Sequence, residues 1–175
     1  MQVVDVIAIL QALEAAGVAT WLDGGWGVDA LVGEQTRPHQ DLDLVIAIEQ
    51  AGAVREVLAA LGFVIAEDEM PTRFVLGDEQ GRQIDFHPVT FDSEGGGLQR
   101  QPDGSVFRYP PEGLLGSGRV GGRPVRCLTP ELQVLCHLGY QPDENDHHDM
   151  LLLHECCGIG LPLPPPYASL QRDVP

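Results

Sequence analysis

The sequence predicts a mixed α/β (α+β) fold, in which helices flank one sheet and a small C-terminal lobe follows. Helical and strand patterns alternate as far as residue 91, which is typical of such a sheet. Residues 92–124 are rich in glycine and proline, and two further helical patterns follow them. A length of 175 residues suits one domain with a small addition. We therefore divide the chain into a core, residues 1–91, and a C-terminal lobe, residues 92–175.

The elements of the core are predicted from the spacing of apolar residues and from glycines that end helices. The first helical pattern ends at Gly17, and the third ends at Gly62. Residues 77–81 are rich in turn formers, so the strands on either side of them form a predicted hairpin. The predicted helices are residues 3–16, 26–32 and 50–61, and the predicted strands are residues 18–22, 42–48, 63–66, 73–76 and 83–89.

The C-terminal lobe is predicted to contain one hairpin, two helices and a proline-rich tail. The hairpin, residues 119–126, turns on two adjacent glycines. A helix begins with Thr129 as N-cap and Pro130 at the first helical position. A second helix covers residues 146–157 and stops before a glycine. The tail, residues 161–166, contains too much proline to continue a helix.

The charge of the chain is strongly negative, with 26 acidic residues against ten basic residues, all of them arginine. Because nucleic-acid affinity comes largely from phosphate neutralisation, a net charge of −16 predicts no nucleic-acid partner. The same charge attracts a cationic small molecule, or it serves solubility alone. The apolar stretches are far shorter than the roughly 18 residues of a membrane span. Four cysteines, two of them adjacent, do not resemble a disulfide framework, so we expect a cytoplasmic protein without membrane contact.

Three carboxylates are expected to converge on one face of the sheet. Asp41 and Asp43 are two residues apart on a predicted strand, so their side chains point to the same side. Asp85 lies between apolar neighbours on a later strand. If the two strands are adjacent, the acids repel each other and require a cation, and Mg²⁺ suits hard oxygen ligands of this kind. The alternative is that Asp41 caps a turn and that Asp43 and Asp85 face solvent.

Two glycines upstream of these acids favour a phosphate site. Gly24 and Gly25 join a predicted strand to a predicted helix, where backbone N–H groups and the helix N-terminus can approach phosphate oxygens. The spacing matches neither the Rossmann nor the Walker motif, so the glycines alone indicate no more than a turn. The pair Asp41 and Asp43 begins sixteen residues after Gly25. The ordered set of glycines and acids is much more specific than any single member.

These segments resemble a known group of enzymes. Residues 21–48, WLDGGWGVDALVGEQTRPHQDLDLVIAI, are similar to the nucleotidyltransferase (polymerase-β-like) superfamily. More narrowly, GGWGVDAL, TRPHQDLDL and QIDFHP resemble the small antibiotic nucleotidyltransferases, the lincosamide and aminoglycoside 2″-O-adenylyltransferase group. Further downstream, VRCLTPELQVLCHLGY and DHHDMLLLHECCGIGLP resemble the C-terminal part of the same proteins. The resemblance covers roughly residues 3–162 and implies a nucleotidyltransferase-type mixed sheet.

The resemblance also implies a reaction. AMP, or another nucleoside monophosphate, would move from ATP or another NTP to a hydroxyl group of a small antibiotic, and this would give resistance. Asp41, Asp43 and Asp85 would hold two Mg²⁺ ions, which stabilise the entering and leaving oxygens of an in-line displacement. Asp85, nearest the acceptor hydroxyl, is the candidate general base.

The nucleotide would be bound by the glycine turn and by the segment before the acids. Gly24 and Gly25 would contact its β- and γ-phosphates. Arg37 is the cation best placed to meet phosphate charge, and His39 either touches the nucleotide or packs locally. The alternative partners of Arg37, in a plain salt bridge, are Asp29 and Glu34.

The acceptor is expected to carry amines, because an acidic surface both attracts and holds cations. The C-terminal lobe would shape its binding site. Relatives of this kind include dimers with sites near the interface, so a homodimer is open to this chain. The acidic residues of the lobe that could contact amines, and that otherwise are plain surface, are Asp92, Glu94, Asp143 and Glu144.

Three other interpretations stay open at this point. The first is a non-haem iron site, because His39, Asp41 and His87 match its set of two histidines and one carboxylate. This interpretation leaves the other acids without roles. The second interpretation is a zinc site in the last predicted helix, but the spacing of its histidines and cysteines fits no zinc motif. The third is a non-catalytic nucleotide-binding module, or a toxin–antitoxin-type nucleotidyltransferase with another acceptor. The zinc candidates are His147, His148, His154, Cys156 and Cys157.

Overall fold

A computed structural model describes residues 1–160 and 163–172 of the chain. The predicted alternation of helices and strands in the core is confirmed. The predicted tail begins at Leu161, and Leu161 and Pro162 lie outside the described residues. Among the helices described, there is none with the length and apolar character that a bilayer crossing demands.

The helices are α1 (Val3–Ala15), α2 (Gly24–Val32), α3 (Ala51–Ala59), α4 (Pro130–Cys136) and α5 (Glu144–Cys157). The strands are β1 (Thr20–Asp23), β2 (Asp41–Ala47), β3 (Val64–Glu69), β4 (Arg73–Gly77), β5 (Gln83–Phe91), β6 (Gly97–Arg100), β7 (Val106–Tyr109), β8 (Ser117–Val120) and β9 (Arg123–Arg126). Short 3₁₀ helices lie at Ile48–Gln50, Pro111–Leu115 and Tyr167–Arg172.

Seven strands form one mixed sheet, as predicted, in the order β1-β2-β5-β4-β3, and β6 and β7 extend it from the end of β5. Strands β2 and β5 are parallel, whereas the other paired strands of this sheet are antiparallel. A parallel pair needs a long crossover, which α3, β3 and β4 provide here. Strands β8 and β9 form the predicted separate hairpin. The parallel pairing matters because it sets the two acid-bearing strands side by side.

The two faces of β2 pack against different parts of the chain. Leu42 and Leu44 are fully buried in a cluster that includes apolar residues of α1 and α3. Val45, on the opposite face, belongs to a cluster with residues of β5, β7 and α4. Because side chains alternate along a strand, Asp41 and Asp43 lie on the Val45 face, toward the C-terminal lobe. A third cluster joins α2 to α4 and α5 and so holds the lobe against the glycine turn.

Strands β6 and β7 lie where the sequence indicated only glycine- and proline-rich chain. Four-residue strands contain too few alternating residues to give a clear period-two pattern. Strand β6 forms because it pairs with the end of β5 and with β7. Helix α2 also begins two residues earlier than predicted, at Gly24. Its first N–H donates to the carboxylate of Asp23 at 2.7 Å, which caps the helix.

Candidate active site

Three aspartates form a row across neighbouring strands. Asp43 on β2 is the register partner of Asp23 on β1 and of Asp85 on β5, so the three side chains share one face of the sheet. Burial is the main cause that raises the pKa of Asp23 and of Asp85. Nearby His87 opposes that rise, and the charge of Asp43 adds to it. The structure thus brings Asp43 and Asp85 together, and it adds Asp23, which the sequence analysis did not propose as a site acid.

Asp41 lies on the same face as Asp43 but two residues earlier along β2. Its register partner on β5 is Gln83, which is not an acid. Burial and the charge of Asp43 raise the pKa of Asp41, and both residues line the same cavity. In the described part of the chain, one three-group cluster has ligand atoms within 4.8 Å of one another, formed by Asp43, Asp85 and His87. Asp41 therefore stands beside this cluster rather than in it.

A hydrogen-bonded chain that reaches β7 holds His87 in place. The amide Nε2 of Gln99 donates to the carbonyl of Thr72 at 2.9 Å, and its oxygen accepts from the hydroxyl of Tyr109 at 2.9 Å. Because a carbonyl can only accept, the amide orientation is fixed, and its second N–H points to Nδ1 of His87 at 3.2 Å. The ring proton then lies on Nε2, which is 3.7 Å from Oδ1 of Asp43. This arrangement favours His87 as a support for that carboxylate over His87 as a metal ligand.

The row of acids also favours a positive charge on the ring of His87. Burial lowers the pKa of His87, but its proximity to Asp43 and the charges of Asp23 and Asp85 outweigh burial and raise the pKa to about 9. Nε2 carries a proton in the charged ring, as it does in the neutral ring that Gln99 favours. Both forms therefore present an N–H group to Asp43, but the charged ring also has a proton on Nδ1, so its formation breaks the hydrogen bond from Gln99.

One oxygen of Asp85 has no partner in the described chain. Its Oδ1 is buried without a hydrogen bond, whereas Oδ2 lies 3.2 Å from Nε of Arg73. An unsatisfied buried acceptor costs about 1–3 kcal/mol unless a ligand satisfies it. The neighbouring oxygens of Asp43 and Asp85 are hard ligands of the type that Mg²⁺ prefers. The residues present therefore fit a divalent cation.

The two glycines leave room for the charged groups around them. Gly24 has a positive φ of 57°, and a Cβ atom there would lie 2.5 Å from Oδ2 of Asp43. A Cβ atom on Gly25 would overlap the guanidinium of Arg37 and lie 2.6 Å from Nδ1 of His39. A side chain at either position would displace these groups. The missing side chains therefore let Asp43, Arg37 and His39 approach the N-terminus of α2 closely, and a helix N-terminus is a favourable place for phosphate.

Arg37 and His39 both line the larger cavity, and each is paired with a buried acid. Arg37 binds Asp149 of α5 through Nε at 3.0 Å and Nη2 at 2.6 Å, so the alternative pairing with Asp29 or Glu34 is wrong. Nε2 of His39 pairs with Asp29. Asp149 is a residue that the sequence analysis missed. It is 112 residues from Arg37 in the chain, and no local pattern links residues so far apart.

Two cavities meet at Asp23, at one end of the row of acids, whereas Asp85 at the other end lines neither of them. The larger, of about 740 Å³, opens over the glycine turn, Asp41 and Asp43. The smaller, of about 360 Å³, lies beside Arg73 and has apolar walls from Phe107, Leu135 and Leu138. Such a pair of cavities can hold two substrates on either side of Asp23 and His87. The residues that line both cavities are Asp23, His87, Cys136 and Tyr140.

The zinc and iron interpretations are not supported in the described part of the chain. The three-group cluster named above contains none of the zinc candidates and neither His39 nor Asp41. His154 uses Nδ1 for a contact of 2.7 Å with the carbonyl of Ile159. His39, as shown above, is occupied by Asp29.

Acids on adjacent strands, two glycines at the start of a helix and two adjoining cavities fit a nucleotidyltransferase. The chain belongs to the aminoglycoside-2''-adenylyltransferase family, whose sequence profile matches residues 5–153. A lincosamide resistance protein from Staphylococcus haemolyticus is 33% identical over 146 residues, which cover 83% of this chain and 90% of that protein. A 2''-aminoglycoside nucleotidyltransferase from Escherichia coli is 34% identical over 145 residues, which cover 82% of this chain and 76% of that protein.

Solved structures show the same relationship. The lincosamide antibiotic adenylyltransferase LnuA, in a lincomycin-bound crystal structure, matches with a TM-score of 0.77 at 32% identity, over 86% of this chain and 95% of that chain. The antibiotic-resistance factor ANT(2'')-Ia matches with a TM-score of 0.71 at 22% identity, over 90% of this chain and 84% of that chain, and shares the fold. The family resemblance inferred from the sequence is confirmed, and the chain is an enzyme of the nucleotidyltransferase class. The homodimer and the absence of a nucleic-acid partner stay predictions.

Proposed function

We propose that this enzyme transfers AMP from ATP to a hydroxyl group of a small antibiotic and so gives resistance. A lincosamide is the leading acceptor, and an aminoglycoside is the second candidate. The observation that carries the proposal is the placement of Asp43 beside Asp85 on parallel strands, with Asp43 in the lining of the larger cavity. Because ATP is the co-substrate and the four cysteines are free, we also propose a cytoplasmic enzyme.

The larger cavity is the proposed nucleotide site. The backbone of Gly24 and Gly25 would face the β- and γ-phosphates, and Arg37 and His39 would supply N–H donors beside them. Asp41 and Asp43 would hold Mg²⁺, and Asp85 would complete a second metal site. Bound Mg²⁺ offsets phosphate charge and lowers the pKa of a coordinated hydroxyl group.

Asp85 is the proposed general base. Burial raises the pKa of this carboxyl group, which makes the carboxylate a better proton acceptor. Nε of Arg73 lies 3.2 Å from Oδ2 without a hydrogen bond, and it places positive charge beside the carboxylate. The acceptor hydroxyl oxygen would bond to the α-phosphorus of ATP while the bond to the β-phosphate oxygen breaks and pyrophosphate leaves. Asp85 would receive the hydroxyl proton.

The smaller cavity is the proposed acceptor site, and its lining favours an acceptor with an apolar portion and few amines. Phe107, Leu135 and Leu138 form apolar walls, and Asp23 is the one carboxylate among the described residues of this lining, so the cavity offers few partners to a polyamine. The lincosamide resistance relative is matched over more of its length than the aminoglycoside enzyme, which agrees with this choice. Of the lobe acids proposed to contact amines, Asp143 lines the larger cavity.

Replacing Phe107 with alanine should raise the KM for lincomycin about tenfold and leave the KM for ATP unchanged. The ring lines the smaller cavity and packs edge-on against Tyr109, with ring centroids 4.9 Å apart. Loss of one aromatic contact is worth about 1.5 kcal/mol, or tenfold in affinity. The control is Val106→Ala, because Val106 precedes Phe107 on the same strand and is 54% exposed. An equal rise in both KM values for Phe107→Ala would indicate that the acceptor does not bind in the smaller cavity.

Pyrophosphate release tests the proposed function. The protein is incubated with ATP, Mg²⁺ and either lincomycin, tobramycin or no acceptor. We expect release that requires both Mg²⁺ and an acceptor, and that is faster with lincomycin than with tobramycin. Nucleotide binding without release for either antibiotic would favour a binding module or an enzyme with another acceptor, such as a toxin–antitoxin-type nucleotidyltransferase.

A further inference from the structure

Asp149 on α5 is a buried carboxylate with one close cationic partner among the described residues. Its side chain is 1% exposed, and a charge removed from water in this way needs a nearby opposite charge. Arg37 supplies that charge through two parallel contacts, Nε to Oδ1 at 3.0 Å and Nη2 to Oδ2 at 2.6 Å. The next basic group, Nε2 of His137, is 4.0 Å away. The bidentate pair therefore fixes the plane of the guanidinium as well as its position.

The guanidinium of Arg37 is held directly over the glycine turn. It occupies the space that a Cβ atom on Gly25 would need, and both residues line the larger cavity. The residue before Arg37 is restrained as well, because Asp29 accepts hydrogen bonds from the N–H of Thr36 at 3.1 Å and from its hydroxyl at 2.6 Å. Asp149 engages one edge of the guanidinium, and Nη1 on the other edge has a 3.4 Å contact with the carbonyl of Pro38. The N–H groups directed at neither Asp149 nor Pro38 are available to a ligand in the cavity.

Without Asp149, other acids would compete for this guanidinium. Asp143, Asp146 and Asp149 all line the larger cavity, and the charges of Asp149, Asp29 and Asp143 oppose burial and raise the pKa of Arg37. A freely rotating arginine among these acids would spend less time over Gly25. A long side chain also loses conformational entropy when a ligand must order it.

We propose that Asp149 is a positioning residue for nucleotide binding, because its bidentate contact with Arg37 keeps the guanidinium over Gly25. The inference rests on the proposed function, in which the larger cavity binds the triphosphate. The contact with Arg37 makes the affinity for ATP depend on Asp149, a residue of α5. A purely structural ion pair between the segment before β2 and α5 would have no such effect on ATP.

The test compares Asp149→Asn with a matched control, Asp78→Asn. Asp78 is 5% exposed and also binds an arginine twice, with contacts of 2.7 Å and 2.5 Å to Arg82, but it lies outside the cavity lining. Isothermal titration with Mg²⁺-ATP and with adenosine is carried out without acceptor. We expect Asp149→Asn to weaken ATP binding about tenfold with adenosine binding unchanged, and Asp78→Asn to change neither. Wild-type ATP affinity in Asp149→Asn, or an equal loss for adenosine, would overturn the inference.

A second measurement needs no variant of Asp149. The ¹⁵Nε–¹H signal of Arg37 in the wild-type protein, assigned with Arg37→Lys, should shift on addition of inorganic tripolyphosphate and ATP but not of adenosine. A signal that responds to none of the three would also overturn the inference. Failure of the wild-type protein to bind ATP at all is a distinct result, because it removes the proposed function itself.

Discussion

Replacing Asp43 with asparagine is expected to lower turnover by roughly 10³-fold while the fold survives. Asp43 is the central acid of the row, in register with Asp23 and Asp85, and it belongs to the cluster that fits a divalent cation. An amide has the same shape as the carboxylate but no negative charge, so it binds Mg²⁺ poorly. Turnover is measured as pyrophosphate release with ATP and lincomycin.

The stability of the same variant separates a binding role from a folding role. The charge of Asp43 contributes to the raised pKa of both Asp23 and Asp85, so its removal relieves repulsion. We expect the metal-free variant to have a Tm equal to or slightly above that of the wild type. Mg²⁺ with ATP should raise the Tm of the wild type and not that of the variant. Glu56→Gln, at an exposed position of α3, is the control for the loss of one acidic residue. Near-normal turnover in Asp43→Asn would contradict the assignment of Asp43 as a metal ligand.

Replacing Gly24 with alanine is expected to lower turnover by roughly 10²-fold, because a displacement of about 1 Å at reacting groups has an effect of that size. The added Cβ would lie 2.5 Å from Oδ2 and 3.0 Å from Cγ of Asp43, so the carboxylate must move. The positive φ of 57° adds backbone strain of about 1–2 kcal/mol for alanine.

Gly33→Ala is the matched control for that strain. Gly33 ends the same helix with a positive φ of 95°, and a Cβ atom there would meet nothing within 4 Å. Both variants should lose a similar amount of stability in thermal unfolding, whereas Gly24→Ala alone should lose activity. Equal activities in the two variants would show that the carboxylate next to Gly24 does not take part in the reaction.

The sequence predicted the parts of the site that depend on local spacing. Asp41 and Asp43 share a face because they are two residues apart on a strand, and Gly24 and Gly25 join β1 to α2 as predicted, although they are the first two residues of the helix. The family motifs then indicated a role for Asp85. Its position beside Asp43 follows from the parallel register of β2 and β5, which the sequence analysis could only assume.

The parts that were missed depend on contacts between distant segments. Asp149 meets Arg37 across 112 residues, and Gln99 meets His87 across 12 residues through the unpredicted strand β6. Neither contact leaves a periodic pattern in the chain, because each is set by how α5 and β6 pack against the sheet. The position of Asp23 was a detectable signal, since it lies between a predicted strand and the two glycines. Its register with Asp43 could not be predicted from the sequence.

The shared cation of Asp43 and Asp85 can be tested most directly by anomalous diffraction. Crystals grown with Mn²⁺ and a non-hydrolysable ATP analogue would be measured near the manganese absorption edge. We predict an anomalous peak between the two carboxylates, with the triphosphate over Gly24 and Gly25 and with His87 outside the coordination shell. A peak elsewhere, or no peak while the analogue is bound, would contradict the metal site on which the proposed reaction depends.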